Sequence, residues 1–462
     1  MWKPDLKGFS GPIYEQIRSA FLADIKKGIL RPGDKLPPHR NLADDLGISV
    51  GTVSKAYKDL VDRGLIDAGS RRGSHVREFA TTTPDLELSK ANSLPTVLDL
   101  RGHRAAYDGW GTDMQQAILD IGLQSDLRKL LEYQPNPGLL HHREAGARWL
   151  EVTSGKQSNA DEIVVCNGAQ HALICALLAT CQVGDLIATE QLTYAGLRSA
   201  ASALGLRLTP IDIDKEGVIP DSFENACREQ PVKTLVCVPN IHNPTTRTLP
   251  QKRRTEIAEI ASRYGVMIIE DDVYGGLADL KVDPFYSIDP DNVIRITGYS
   301  KTLGPGLRVG YIQATTSRIP ALATALRATS WMASPIMAEI AANLVDSGKA
   351  QAILEKNKVE LEARNQVLQE QLGSQELATS RFAPHAWLEL PESWTKDDFL
   401  NWSQTNGLKF LAAESFIVGS NSRNPAVRIS VSAAPSVEAL RSAAQCIEHC
   451  LRLPPEDDNI LA

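Results

Sequence analysis

The sequence has little cysteine. Its seven residues, Cys166, Cys175, Cys181, Cys227, Cys237, Cys446 and Cys450, form no CxxC pair and have no companion His at zinc spacing. An odd, scattered set favours buried thiols in a reducing compartment over a disulfide framework, with no metal site expected. Long apolar runs are missing too: nothing approaches the roughly 18 to 20 uninterrupted apolar residues of a membrane helix. The opening MWKPDLKGFSGPIYEQ lacks the basic-then-apolar layout of a secretion signal. These absences lead to the expectation of a cytoplasmic protein with no membrane partner.

What is present is enough for more than one core. The chain has 462 residues, 43% of them hydrophobic and 23% charged. Single cores stop growing near roughly 250 to 300 residues, so at least two domains are expected. Charge is divided unevenly. Residues 1–77 carry 14 Lys and Arg against 9 Asp and Glu, a net of +5, whereas the whole chain stands at −7, leaving −12 for the rest. A basic head on an acidic body suggests that the head meets a polyanion.

From Ile13 to Lys26, apolar residues at Ile13, Ile17, Ala20, Phe21 and Ile25 have helical spacing, and Gly28 supplies a stop. After RPGDKLPP, a short second helix through Leu42, Ala43 and Leu46 ends at Gly47. Ser49 caps a third helix, from Val50 to about Arg63, with Val53, Tyr57, Leu60 and Val61 inward. Two helices across a Gly turn, the second with small polar and basic residues near its start, form a helix-turn-helix whose second helix can enter the major groove. Thr52 and Lys55 are the candidate groove contacts. GLIDAGSRRGSHV then forms a hairpin wing, with Leu65 and Ile66 on one strand, Val76 on the other and Arg71, Arg72 and Gly73 at the tip.

These residues resemble the winged helix-turn-helix of GntR-type bacterial regulators, through PIYEQI, GDKLPPHRNLADDLGIS, TVSKAYKDL and GLI. The resemblance implies a double-stranded DNA operator as partner, with Arg40 on phosphate and with Ser49, Thr52, Lys55, Arg71 and Arg72 in the DNA-binding set. His39 stands where the family usually has Ser, a departure that touches one backbone contact.

The expected division is a DNA-binding domain at 1–78, a flexible linker at 79–97, a large domain at 98–345 and a small C-terminal subdomain at 346–462. The linker FATTTPDLELSKANSLPTV shows no periodicity and has a typical reach of about 25 Å. In the body, apolar runs EIVVCN, DLIATE, TLVCVPN and VMIIED alternate with helix-like AQHALICALLAT, YAGLRSAASALG and QKRRTEIAEIASRYG. That alternation predicts a mostly parallel α/β sheet, with ligands beyond the carboxyl ends of its strands.

The chemistry-bearing motifs fall at those ends. In ITGYSKTLGPGLRVGY, Lys301 follows a strand and Arg308 lies seven residues on. A lysine there can form a Schiff base with an aldehyde cofactor, and the arginine can neutralise a phosphate. VMIIEDDVYGG ends a strand with Asp271 and then Tyr274, a carboxylate suited to a pyridine nitrogen and a phenol suited to a ring oxygen. A metal is the weaker reading of that pair, since Mg²⁺ and Ca²⁺ want more oxygens. Asn243 in VCVPNIHNPTT can donate to the same ring oxygen. Gly168, Ala169 and Gln170 open a helix whose free N–H groups favour phosphate, and Tyr194 can stack on a flat ring.

In this order and spacing the segments resemble the fold-type I aminotransferases over roughly residues 98–450. The resemblance implies pyridoxal 5'-phosphate as cofactor, Lys301 as its Schiff-base lysine, Asp271 on the ring nitrogen, Asn243 and Tyr274 on the 3-oxygen and Tyr194 stacked on the ring. It places Gly168, Ala169, Gln170, Ser300 and Arg308 on the phosphate, and Arg428, in AVRISVSA, on an effector or substrate carboxylate through a bidentate fork. Tyr133 would reach the neighbouring subunit's phosphate, which implies a homodimer. Gly298 and Thr246 depart from the common Ser and Gly.

A GntR-type head on such a body resembles the MocR subfamily. The resemblance implies a transcriptional regulator that senses a small amino compound, or the cofactor, through aldimine exchange at Lys301. The rival reading is an aminotransferase acting on an amino acid, with an accessory DNA-binding domain. The sequence leaves turnover open.

Overall fold

The computed structural model describes residues 2–62, 65–76 and 97–452, apart from 10, 28, 32, 70–72, 108, 125–126, 280–281 and 420–424. The chain divides into two compact units, Met1–Lys90 and Ala91–Ala462. Gly28, Arg71, Arg72 and all of the expected linker except Val97 lie outside the described residues.

In the first unit, α1 (Ile13–Lys26), α2 (His39–Leu46) and α3 (Val50–Asp62) precede a hairpin of β1 (Ile66–Gly69) and β2 (Gly73–Val76). α2 ends where Gly47 turns left-handed at φ 64°, a conformation that glycine adopts without strain. Ile17, Phe21, Leu36, Leu42, Val53, Ala56, Tyr57, Leu60, Ile66 and Val76 are buried together. Two expectations fail. Val61 is 38% exposed and Ile13 42% exposed. Ala56 instead completes the inward stripe Val53–Ala56–Tyr57–Leu60, whose three-and-four spacing leaves Val61 one step off the face. The wing pairs Ile66 with Val76 in antiparallel register.

The second unit is built on a seven-stranded sheet. Its strands are β3 (Ile163–Cys166), β4 (Leu186–Glu190), β5 (Arg207–Ile211), β6 (Val232–Cys237), β7 (Met267–Asp271), β8 (Val293–Gly298) and β9 (Gly310–Gln313). Their spatial order is β3-β9-β8-β7-β6-β4-β5. β9 runs antiparallel to both its neighbours, and the other pairings are parallel. Every residue of β3, β4, β8 and β9 is buried, as expected of strands covered on both faces.

A second, four-stranded antiparallel sheet lies in the same unit: β10 (Leu377–Ala378), β11 (Ala386–Glu389), β12 (Leu411–Ala412) and β13 (Ala426–Ile429), in the order β10-β11-β13-β12. The start of the body joins it. Leu98–Asp99 pairs with Leu408–Lys409, and Ser430 N donates to Leu100 O at 2.9 Å, which carries residues 101–103 toward the carboxyl ends of the large sheet. Among the described residues no helix is long and apolar enough to cross a membrane.

Candidate cofactor and effector site

Asp271 is the last residue of β7, one step before a buried ionic network that fixes the strand end. Its neighbour Asp272 accepts from Arg295 Nε at 2.9 Å and from Asn240 Nδ2 at 2.6 Å, and Arg254 Nη2 donates to Asn240 Oδ1 at 2.6 Å. Asp271 itself is only 7% exposed, and its Oδ1 has no hydrogen-bond partner. Burial pushes its carboxyl up to about 7, and neighbouring Asp272 adds to the effect. The Lys301 amine opposes the rise only in part, so burial without a hydrogen bond at Oδ1 dominates.

Lys301 enters from the turn after β8 and is half-buried. Burial and the Arg428 guanidinium bring its amine down to about 8, partly opposed by Asp271. Neutral amine is therefore available near neutral pH, as nucleophilic attack on a carbonyl requires. Ser300 beside it is also half-buried.

The turn after β3 leads through Gly168 into α4 (Ala169–Thr180). Gly168 has φ 86°, and a Cβ there would stand 2.8 Å from Arg308 Nη2. A Cβ on Gly310 would lie 2.7 Å from the Gly168 carbonyl carbon and 2.8 Å from Ala169 N. The two glycines thus let three backbone segments and the Arg308 guanidinium converge on one helix N-terminus, a ready anion site. Gln170 donates to Gly196 O at 3.0 Å while its buried Oε1 stays unpartnered. Gly298, the departure from Ser, sits in the same crowd, where a Cβ would be 3.2 Å from Val309 O. The other departure, Thr246, takes a left-handed φ of 61°, the conformation that suits a glycine.

Arg428 comes from β13. Its Nη1 donates to Asn243 Oδ1 at 2.7 Å and its Nη2 to Arg101 O at 2.5 Å, while its buried Nε has no partner. Burial lowers the guanidinium to about 10. Tyr274 is buried, with its Oη 3.0 Å from His103 Nδ1. Tyr194 is 38% exposed and precedes the helix Ala195–Ala203. Tyr133 stands apart: it is 81% exposed, with its ring 5.7 Å from that of Trp331.

Two residues that the sequence reading did not single out complete the site. His103 and His385 stack at 4.9 Å with 15° between their planes, next to Tyr274. His385 Nε2 meets His242 O at 3.1 Å, and both His385 Nδ1 and His103 Nε2 are buried without partners. Burial and the nearby Arg428 push both imidazoles well below the ordinary histidine value, so the pair is neutral. RGHR and APHA carry no periodic or motif signal, and 282 residues separate the two rings in sequence.

In the head, Ser49 Oγ accepts from Thr52 N at 3.2 Å and caps α3, and the two side-chain oxygens lie 2.9 Å apart. Lys55 is exposed, its Nζ 4.0 Å from the Tyr14 ring centre, and Arg40 is exposed at the start of α2. His39 Nδ1 lies 3.0 Å from Ser54 Oγ, so the departure from Ser couples α2 to α3.

The fold and the site define a class: a winged helix-turn-helix joined to a body of the fold-type I aminotransferase kind. Residues 13–76 match the bacterial regulatory proteins of the gntR family, and residues 106–447 match aminotransferase class I and II. The chain belongs to the MocR subfamily of GntR-type transcriptional regulators, which joins these two parts. It is 30% identical over 451 residues to the uncharacterized HTH-type transcriptional regulator YdeF of Bacillus subtilis, covering 97% of this chain and 96% of the relative. To the vitamin B6 salvage pathway transcriptional repressor PtsJ of Salmonella typhimurium it is 27% identical, over 82% of this chain and 84% of that one. An archaeal alanine:glyoxylate aminotransferase superposes with a TM-score of 0.71 at 22% identity, over 77% of this chain and 91% of that one.

Proposed function

We propose that this chain is a cytoplasmic, homodimeric transcriptional regulator that binds operator DNA through its head and pyridoxal phosphate through its body. A small amino compound, or the cofactor itself, would be the signal. The observation that carries the reading is Asp271, a buried carboxylate with an unpartnered oxygen one strand away from the turn that presents Lys301. That donor set fits a pyridine nitrogen on one side and an aldehyde on the other.

In this reading Asp271 holds the ring nitrogen protonated, Asn243 and Tyr274 hold the 3-oxygen, and Tyr194 covers the ring. Gly168, Ala169, Gln170, Ser300 and Arg308 hold the phosphate, and Tyr133 contributes from the neighbouring subunit. Pyridoxal phosphate, when bound, supplies an aldehyde that condenses reversibly with primary amines. Lys301 competes with the effector's amine for that aldehyde. Arg428 receives the effector's carboxylate, using donors that it now spends on Asn243 and Arg101.

Effector binding would change the arrangement of Lys301 and Arg428, and any differential affinity between body conformations becomes a shift in how paired heads meet DNA. In the head, Thr52 and Lys55 would enter the major groove and Arg40 would meet phosphate, with Ser49, Arg71 and Arg72 in the same DNA-binding set. The aminotransferase reading keeps the same Lys301, which can also move a proton once released. The intact head favours the regulator.

The test is an absorption titration of purified protein with pyridoxal phosphate, wild type and Lys301→Ala, followed by amino compounds, with promoter-DNA binding read in parallel. A lysine-dependent visible band whose change tracks DNA binding, without keto-acid release, supports the regulator. Rapid turnover with no effect on DNA overturns it.

A further inference from the structure

Behind the phosphate turn lies a cluster of soft ligands that the site does not use. Cys166 is the last residue of β3, an edge strand, and His171 and Cys175 stand four apart on α4, on one face of that helix. Their donor atoms all lie within 4.8 Å of one another, and both cysteines are buried. The spacing C-x4-H-x3-C is no standard zinc motif, which is why it escapes a sequence search for one.

We propose that Cys166, His171 and Cys175 bind a thiophilic d10 cation of the Zn²⁺ class, clamping the end of β3 to the first turns of α4. Two sulfurs and an imidazole form a borderline-soft donor set that selects such ions over Mg²⁺ or Ca²⁺. Metal–sulfur bonds near 2.3 Å and metal–nitrogen bonds near 2.0 Å put these tetrahedral ligand atoms roughly 3.5 to 3.8 Å apart, so the donors, within 4.8 Å of one another, close by roughly 1.3 Å at most.

Two surroundings bear on the ion. Thr329 Oγ1 lies 2.7 Å from His171 Nε2 and orients the ring, while Asn167 N donates to Nδ1 at 3.2 Å, so that Nδ1 binds the ion by exchanging the Asn167 N–H for it. Thr329 Oγ1 is also 3.8 Å from Cys175 Sγ, and Thr329 is exposed, which leaves a route in from solvent beside the thiols. Loading releases the two thiol protons to the buffer and transfers no electrons.

The ligands bracket Gly168, Ala169 and Gln170, so the ion stiffens the turn assigned to phosphate. That consequence rests on the proposed pyridoxal phosphate site; the ion site itself does not.

The experiment titrates reduced, chelator-stripped full-length protein with Co²⁺ and then Zn²⁺, before and after adding pyridoxal phosphate. One equivalent of Co²⁺ per chain should give a near-ultraviolet thiolate-to-cobalt band that Zn²⁺ bleaches. Cys166→Ser and Cys175→Ser should each weaken Zn²⁺ binding about 100-fold, and His171→Ala at least about 10-fold. Unchanged circular dichroism shows that the variants fold. If they do not, wild-type protein still decides: Zn²⁺ should slow thiol modification at Cys166 and Cys175.

Absence of a thiolate band together with no protection overturns the site, as does a band that survives in both serine variants. A Cys166–Cys175 cross-linked peptide from unreduced protein, with no metal uptake after reduction, replaces it with a redox pair. A normal visible band with pyridoxal phosphate alongside no metal binding rejects this inference alone. Metal binding without that visible band rejects the cofactor reading alone.

Discussion

Arg428 Nη1 and Asn243 Oδ1 meet at 2.7 Å, joining the central part of the small sheet to the loop after β6 of the large one. One hydrogen bond therefore links the residue proposed for the effector's carboxylate to a residue proposed for the cofactor ring. Whatever engages Arg428 competes for a donor that Asn243 uses.

Arg428→Lys tests this link. A lysine keeps the charge but loses the planar fork that serves Asn243 and Arg101 together. Carboxylate-bearing effectors should bind about 10- to 100-fold more weakly, the equivalent of roughly 1.5 to 3 kcal/mol for hydrogen bonds to a charged group. The visible band of the bound cofactor should persist. Titrating both spectra checks the split, and equal loss of cofactor and effector would refute it.

Asp271→Asn separates cofactor affinity from apo stability. The Asp271 carboxyl is raised from 3.8 to about 7 by burial. A raised folded-state value makes folding more favourable when the group is protonated, and that advantage is lost as pH rises from about 4 through 7. Removing the charge should leave the apo protein unchanged at pH 4 and raise its melting temperature at pH 8, at about 1 to 2 °C per kcal/mol for a unit as long as Ala91–Ala462. Pyridoxal phosphate affinity should fall at both pH values. A variant less stable than wild type at pH 8 would show that Asp271 has a stabilising partner.

Much of this was legible because each motif is local. The Gly168 turn, the Asp271 strand end and the Lys301 loop each come from one short segment, and the alternation of apolar runs with helices places them at one edge of a sheet. The helices of the head were legible from their spacing, since Ile13–Lys26 and Val50–Asp62 fall close to the expected bounds. What stayed hidden is non-local. His103 and His385 meet where residues 101–104 bond to Arg428, Ser430 and Ser432, beside the strand that follows His385, contacts between distant segments that no period announces. The exposure of Ile13 and Val61 was misjudged because apolar character alone does not fix which side of a helix is covered.

The head should be separable from the body. Lys55→Ala removes an exposed cation and should lower operator affinity while reducing the salt slope by about 1, with the cofactor spectrum unchanged. Ser49→Ala removes the cap on Thr52 N, costing about 1 kcal/mol of head stability and weakening DNA binding by loosening the start of α3. Fluorescence anisotropy over a salt series distinguishes the two, because only the lysine change should alter the slope.

Gly310→Ala asks whether the phosphate turn depends on close backbone approach. The added Cβ would lie 2.7 Å from the Gly168 carbonyl carbon and 2.8 Å from both Ala169 N and Thr297 O. All three are main-chain atoms, so no side chain can swing aside, and the turn itself must move. Overpacking of this kind costs typically about 1 to 3 kcal/mol. The larger effect should fall on the cofactor, because α4's first N–H groups lose their aim while Lys301 and Asp271 keep theirs. Pyridoxal should then bind the variant nearly as it binds wild type, whereas pyridoxal phosphate loses its advantage. Equal weakening of both ligands would mean that the glycine supports the ring pocket and that the phosphate is held elsewhere.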